Sequence, residues 1–185
     1  MPLRIALLCS MVVNGHRVTG KDARDLAEAI GATDVRSVLA TGNLVFQSRK
    51  SPDTLTRELE AECERRFGKP TEIIVKTEEE WAKLVAANPF EKGAKSQPSR
   101  VLAWVMRSPI PAAGIAQLRR RAARSEKIVH TLDGDFYIWL GRRERNATKL
   151  TGGFGLKSLG AVGTNRTWTT VSKITALVEE MKVNS

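Results

Sequence analysis

Apolar positions along the chain follow two rhythms, short runs with strand character and longer stretches at helical spacing. Residues 4–9 form a compact apolar run, the pattern of a buried strand. After a polar loop over 14–20, Ala23, Leu26, Ala27 and Ile30 recur on one helical face, and Gly31 supplies the stop. The runs 35–39 and 44–46 flank Thr41-Gly42-Asn43, which predicts a hairpin. Pro52 suits the first turn of a second helix carried by Leu55, Leu59, Cys63 and Phe67 and closed by Gly68. Residues 72–75 predict another strand. Thr77 and Glu80 then have capping-box spacing, ahead of a short helix that stops at Asn88-Pro89. The order so far is βαββαβ with one extra helix.

The polar stretch 91–99 has the composition of a linker, and after it the order begins again. A strand over 101–106 precedes a helix over 111–123. The runs 128–131 and 136–140 flank Asp133-Gly134, a second hairpin signal. Helices are expected from about 147 to 159 and from about 171 to 181, which leaves only 167–170 for a last strand. The expectation is an α+β protein of two ferredoxin-like (βαββαβ) halves packed together, 1–93 and 94–185, the second less regular.

Charge changes this picture because it is unevenly placed. The chain of 185 residues carries +10. Residues 1–93 hold 14 Lys/Arg and 14 Asp/Glu, whereas 94–185 hold 16 against 6. An anionic ligand or nucleic acid is therefore the partner to look for, and at the second half. Arg120 and Arg124 lie late in one helix, one turn apart on a shared face. Arg142, Arg143 and Lys149 follow the second hairpin, and Arg166 and Lys173 bracket Trp168. These seven basic residues are the candidate anion-binding set, with affinity expected to fall steeply with salt. The same residues also suit a helix C-terminus and a soluble surface. Tyr137 and Trp139 share one strand face, as Leu102, Trp104 and Met106 share another. An open sheet would make Tyr137 and Trp139 a stacking platform for bases. Packing of the two halves would bury them instead, and the doubled architecture favours burial.

Other chemistry finds little purchase. There is no Gly-x-Ser-x-Gly elbow, phosphate loop or His-Glu-x-x-His. Thr151-Gly152-Gly153-Phe154-Gly155 only loosely resembles a glycine-rich phosphate cradle. Two cysteines and two histidines give no zinc-like ligand set, so neither metal nor cofactor is expected. Cys9 with His16 in the adjoining loop is a minimal nucleophile–base pair, but such proximity arises commonly by chance, and an inert buried Cys9 is the preferred reading. Glu78-Glu79-Glu80 reads as an acid/base cluster or as carboxylates at a helix N-terminus. No apolar run reaches the roughly 18 residues of a membrane span. The opening residues resemble a signal peptide only superficially, their apolar run being short, so a cytoplasmic protein is expected.

Several strings together resemble domain-of-unknown-function family 1697, over nearly the whole chain. They are Ile5-Ala6-Leu7-Leu8, Thr41-Gly42-Asn43-Leu44-Val45-Phe46, Asn88-Pro89-Phe90, Thr148-Lys149-Leu150 and Arg166-Thr167-Trp168-Thr169-Thr170-Val171. The first-loop motif of that family, of an Arg-Gly-Ile-Asn-Val-Gly-Gly type, is replaced here by Cys9-Ser10-Met11-Val12-Val13-Asn14-Gly15. The resemblance implies two ferredoxin-like halves and no particular activity. It singles out Asn43, Arg166, Trp168 and Thr170. Asn43 also suits a turn with positive φ, and Trp168 a core position. Three functions follow as expectations: an anion-binding protein, a cofactor-independent enzyme with a site between the halves at Asn43, Arg166 and Trp168, or an interaction protein that dimerises through a strand edge.

Overall fold

A computed structural model of the protein describes residues 1–39, 42–131, 134–142, 145–151 and 160–184. The described residues are mixed α and β with antiparallel sheets, as the sequence pattern predicts. They divide into two compact units, Met1–Lys83 with Ser172–Ser185, and Leu84–Val171.

The first unit opens with β1 (Leu3–Leu8), whose apolar run is buried. The stretch expected to be a plain loop contains a small hairpin, β2 (Val12–Val13) with β3 (His16–Arg17). Asn14 at φ 49 and Gly15 at φ 78 make its two-residue turn, the conformation that Asn-Gly favours between strands. Helix α1 (Gly20–Ala29) starts on a reciprocal cap, with Thr19 and Asp22 each bonding the other's backbone N–H. Strands β4 (Thr33–Ser37) and β5 (Asn43–Gln47) pair antiparallel as the predicted hairpin. Its Thr41 lies outside the described residues. Helix α2 (Pro52–Phe67) is capped by Ser51 and ends on Gly68 at φ 72. Strand β6 (Ile73–Thr77) leads directly into α3 (Glu78–Ala86).

The sheet order is β4-β5-β1-β6. Ala6, Leu8, Leu44, Phe46, Ile73 and Val75 form one apolar cluster with Leu26 of α1 and Leu55, Leu59 and Cys63 of α2. The last fourteen residues also belong to this unit. There Arg36 pairs with Glu180 at 2.8 Å, Glu78 with Lys182 at 2.7 Å, and the Trp81 indole N–H donates to Thr175 Oγ1 at 3.0 Å.

In the second unit the expected linker is instead helix α4 (Glu91–Ser96) followed by a 3-10 turn, Pro98–Arg100. Strand β7 (Val101–Met106) precedes α5 (Ala112–Arg121), β8 (Lys127–His130), β9 (Phe136–Trp139) and β10 (Gly163–Thr167), and α6 (Trp168–Val183) follows. The last strand thus ends where the sequence reading began it, because Trp168–Thr170 already form the first turn of α6. Of the helix expected over 147–159, residues 147–151 are irregular with turns and 152–159 lie outside the described residues, as does Asp133 of the second hairpin.

This sheet runs β10-β7-β9-β8. Leu102, Trp104 and Met106 share a face as expected, clustered with Ile115 and Leu118 of α5, and Trp104 stacks on Phe136 at 5.4 Å. Both sheets end alike. Thr77 and Glu80 bond each other's backbone N–H at the β6–α3 junction, and the hydroxyls of Thr167 and Thr170 lie 3.2 Å apart at the β10–α6 junction. Among the described residues no helix is long and apolar enough to cross a membrane.

Candidate functional site

The charge imbalance seen along the sequence is kept between the folded units. Residues 84–171 contain 15 Lys/Arg and 5 Asp/Glu, so this compact unit carries the whole +10 and the other is neutral.

Within it the seven predicted basic residues fare differently. Helix α5 ends at Arg121, and Ala122 is extended at ψ 134. Arg124 therefore does not share a helical face with Arg120. The turn is fixed by Glu126, whose Oε2 accepts the Ala123 N–H at 2.7 Å. Arg120, Arg124, Arg142 and Lys149 are exposed. Arg166 is half-buried and already engaged, donating to Thr164 Oγ1 at 2.7 Å and to the Asn165 carbonyl at 2.9 Å. Lys173 is exposed and falls in the other compact unit. Arg143 lies outside the described residues, as do 152–155 of the glycine-rich stretch.

The family-string residues carry local structural tasks. Asn43 is fully buried and is the first residue of β5, not a turn residue of positive φ; Leu39 at φ 60 and Gly42 at φ 63 hold that conformation. Its Nδ2 donates to the Val38 carbonyl at 3.0 Å, and its own carbonyl accepts the Val38 N–H at 2.9 Å, locking the hairpin loop. Thr170 is buried beside Thr167 at the start of α6, and Trp168 is half-buried on its first turn.

The minor chemical candidates are also accounted for. His16 stacks on Phe67 at 4.8 Å, with Nε2 3.4 Å from Asp22 Oδ2. The Asp22 carboxyl is held below its ordinary value, first by the Thr19 backbone N–H and then by the Thr19 hydroxyl. Burial pushes the Cys63 thiol up, which suits an inert core position. Glu78 and Glu79 pair with Lys182 and Lys83, and Glu80 caps α3. Among the described residues no group of three or more His, Cys, Asp or Glu could hold a metal ion.

The expected stacking platform is split. Tyr137 is fully buried, its hydroxyl donating to the Leu84 carbonyl. Trp139, two residues on, is only half-buried and lines a cleft of about 490 Å³ with Asn88, Pro89, Phe90, Lys92, Gly93 and Lys127. The Asn88 Oδ1 accepts the Phe90 N–H at 3.0 Å, turning the chain into α4. Gly93 lets α4 approach the indole: a Cβ there would sit 2.6 Å from Trp139 Cζ3. In the sheet register Lys127 lies directly opposite Trp139, so the two side chains share a face. A linker assignment for 91–99 hid this group. The signal lay in Asn88-Pro89-Phe90, an Asx turn opening on helix-compatible residues before Pro98.

These features define an α+β protein of two compact units, one electrically neutral and one strongly basic. The chain belongs to the family described as protein of unknown function (DUF1697), whose sequence model matches residues 1–137. Among curated proteins none matches it. Among solved structures the chain is similar to the conserved bacterial protein SP0830 from Streptococcus pneumoniae, at 17% identity over 97% of this chain and 99% of that one, with a TM-score of 0.75. At that identity the likeness speaks to the fold.

Proposed function

We propose that the protein binds a phosphate-bearing anion, free or within a nucleic acid, through its basic unit. The observation that carries this reading is the confinement of all ten excess positive charges to residues 84–171. A uniform coat of charge serves solubility, whereas charge gathered on one unit of a two-unit chain raises the local concentration of anions there. Arg120, Arg124, Arg142 and Lys149 are exposed and available to such a ligand.

Each half, 1–93 and 94–185, is read as a ferredoxin-like βαββαβ fold. The strand orders support it: numbered within its own sheet, each runs second, third, first, fourth from one edge. Neither Cys9 nor Cys63 forms a disulfide, which supports a reducing compartment such as the cytoplasm.

A salt titration of binding to mixed single-stranded oligonucleotides and to inorganic phosphate tests the function. Binding that weakens steeply between about 50 and 200 mM salt is expected. No binding of either probe at about 50 mM salt would remove the reading.

A further inference from the structure

We propose that the Trp139 cleft is a nucleotide site, in which a planar base lies against Trp139 and Phe90 while its phosphate meets Lys92 and Lys127. This rests on the anion-binding reading above and narrows it to one place and one ligand class.

Four observations converge on the cleft. Its volume, about 490 Å³, falls in the range of small-molecule and cofactor sites. Two of its lining residues are aromatic, and both Phe90 and Trp139 are half-buried, with ring surface still open. A base stacks on such a surface because every base presents a π-face. Lys92 and Lys127 are exposed at the same cleft, and among the described residues neither is tied up in an ion pair. Their ammonium groups sit in the unit that holds the full +10, so an anion is drawn there from a distance as well as at contact.

The backbone is fitted to hold this arrangement rather than to fill it. Gly93 brings α4 against one part of the indole, and Asn88 fixes the turn that carries Phe90. Trp139 is thereby held by neighbours while part of it stays in the cleft. Glu91 supplies a carboxylate at the cleft, an acceptor for a sugar hydroxyl or for an exocyclic amine.

Calorimetric titration of the full chain with adenosine 5′-monophosphate, adenosine and ribose 5-phosphate tests this. The monophosphate is expected to bind most tightly, and only the two phosphate compounds should weaken with salt. Trp139→Ala is expected to weaken the monophosphate about tenfold or more, with Trp139→Phe close to wild type. Lys127→Glu should abolish its salt dependence and most of its affinity, while Lys69→Ala, exposed in the neutral unit, leaves both unchanged. Should Trp139→Ala fail to fold, the indole N–H resonance of Trp139, assigned by its loss in Trp139→Phe, must shift on addition of the monophosphate to the wild type. Equal affinity for ribose 5-phosphate and the monophosphate, or an unmoved Trp139 resonance, overturns the nucleotide site and leaves anion binding standing. Absence of all binding, oligonucleotides and phosphate included, overturns both.

Discussion

Asp22 concentrates three attractions on one carboxylate. It accepts the Thr19 N–H at 2.9 Å and the Thr19 hydroxyl at 2.8 Å, and lies 3.4 Å from the His16 ring. Its carboxyl is consequently held below the ordinary aspartate value, so the folded chain takes up this proton less readily than the unfolded one. The resulting stability is complete above the unfolded value and is lost as pH falls through the lower folded value. Wild type should therefore exceed Asp22→Asn in thermal midpoint at neutral pH, and the gap should narrow as pH falls from neutral to below the ordinary carboxylate range. A gap constant over that range would disprove the assignment. Asn43 teaches a different lesson at this scale. Its identity is visible in the Gly-Asn string, but the φ > 0 burden falls on Gly42, and Asn43 serves instead as a buried clasp on Val38. Sequence alone offers the residue type without saying which neighbour absorbs the strain.

At the scale of elements, helix α4 is the informative failure. Six residues rich in charge and containing Gly93 have no apolar period, so a periodicity argument passes over them. What makes them a helix is tertiary: Gly93 lies where only a hydrogen fits against Trp139. Gly93→Val is expected to lower stability by about 1–3 kcal/mol in urea denaturation, since helix or indole must move to admit the side chain. An unchanged midpoint would show that α4 is held by something other than this approach. The longer elements were legible for the opposite reason. Apolar runs such as β1 and β7, and the capping pair Thr77 and Glu80, carry their structural cause within a few residues. Basic residues carry no such local cause. Arg120 and Arg124 looked like one face only until Ala122 left the helix, and the cleft at Trp139 joins residues 88 to 139 that no short window contains.

On the scale of the whole molecule, chain order and compact units do not coincide. Residues 172–185 count with the first unit, where Ile174, Val178 and Met181 are buried. Replacing Ile174 by Ala should cost about 2–5 kcal/mol, as for other buried aliphatic truncations. Native-state hydrogen exchange locates the loss. Protection is expected to drop in β1 and β5 before it drops in β7 and β9, and the reverse order would contradict the division. The same arrangement concentrates charge, because the neutral unit gathers both ends of the chain and the basic unit is the uninterrupted stretch between them.

That arrangement also bears on the order in which the protein comes into being. A ribosome completes residue 83 long before it reaches 172, and at about 5–20 residues per second the interval is roughly 5 to 20 s. During it the first sheet has been synthesised without the helical segment that buries Ile174, Val178 and Met181. The basic unit, continuous in sequence, waits for nothing downstream. The part made first is thus the part finished last.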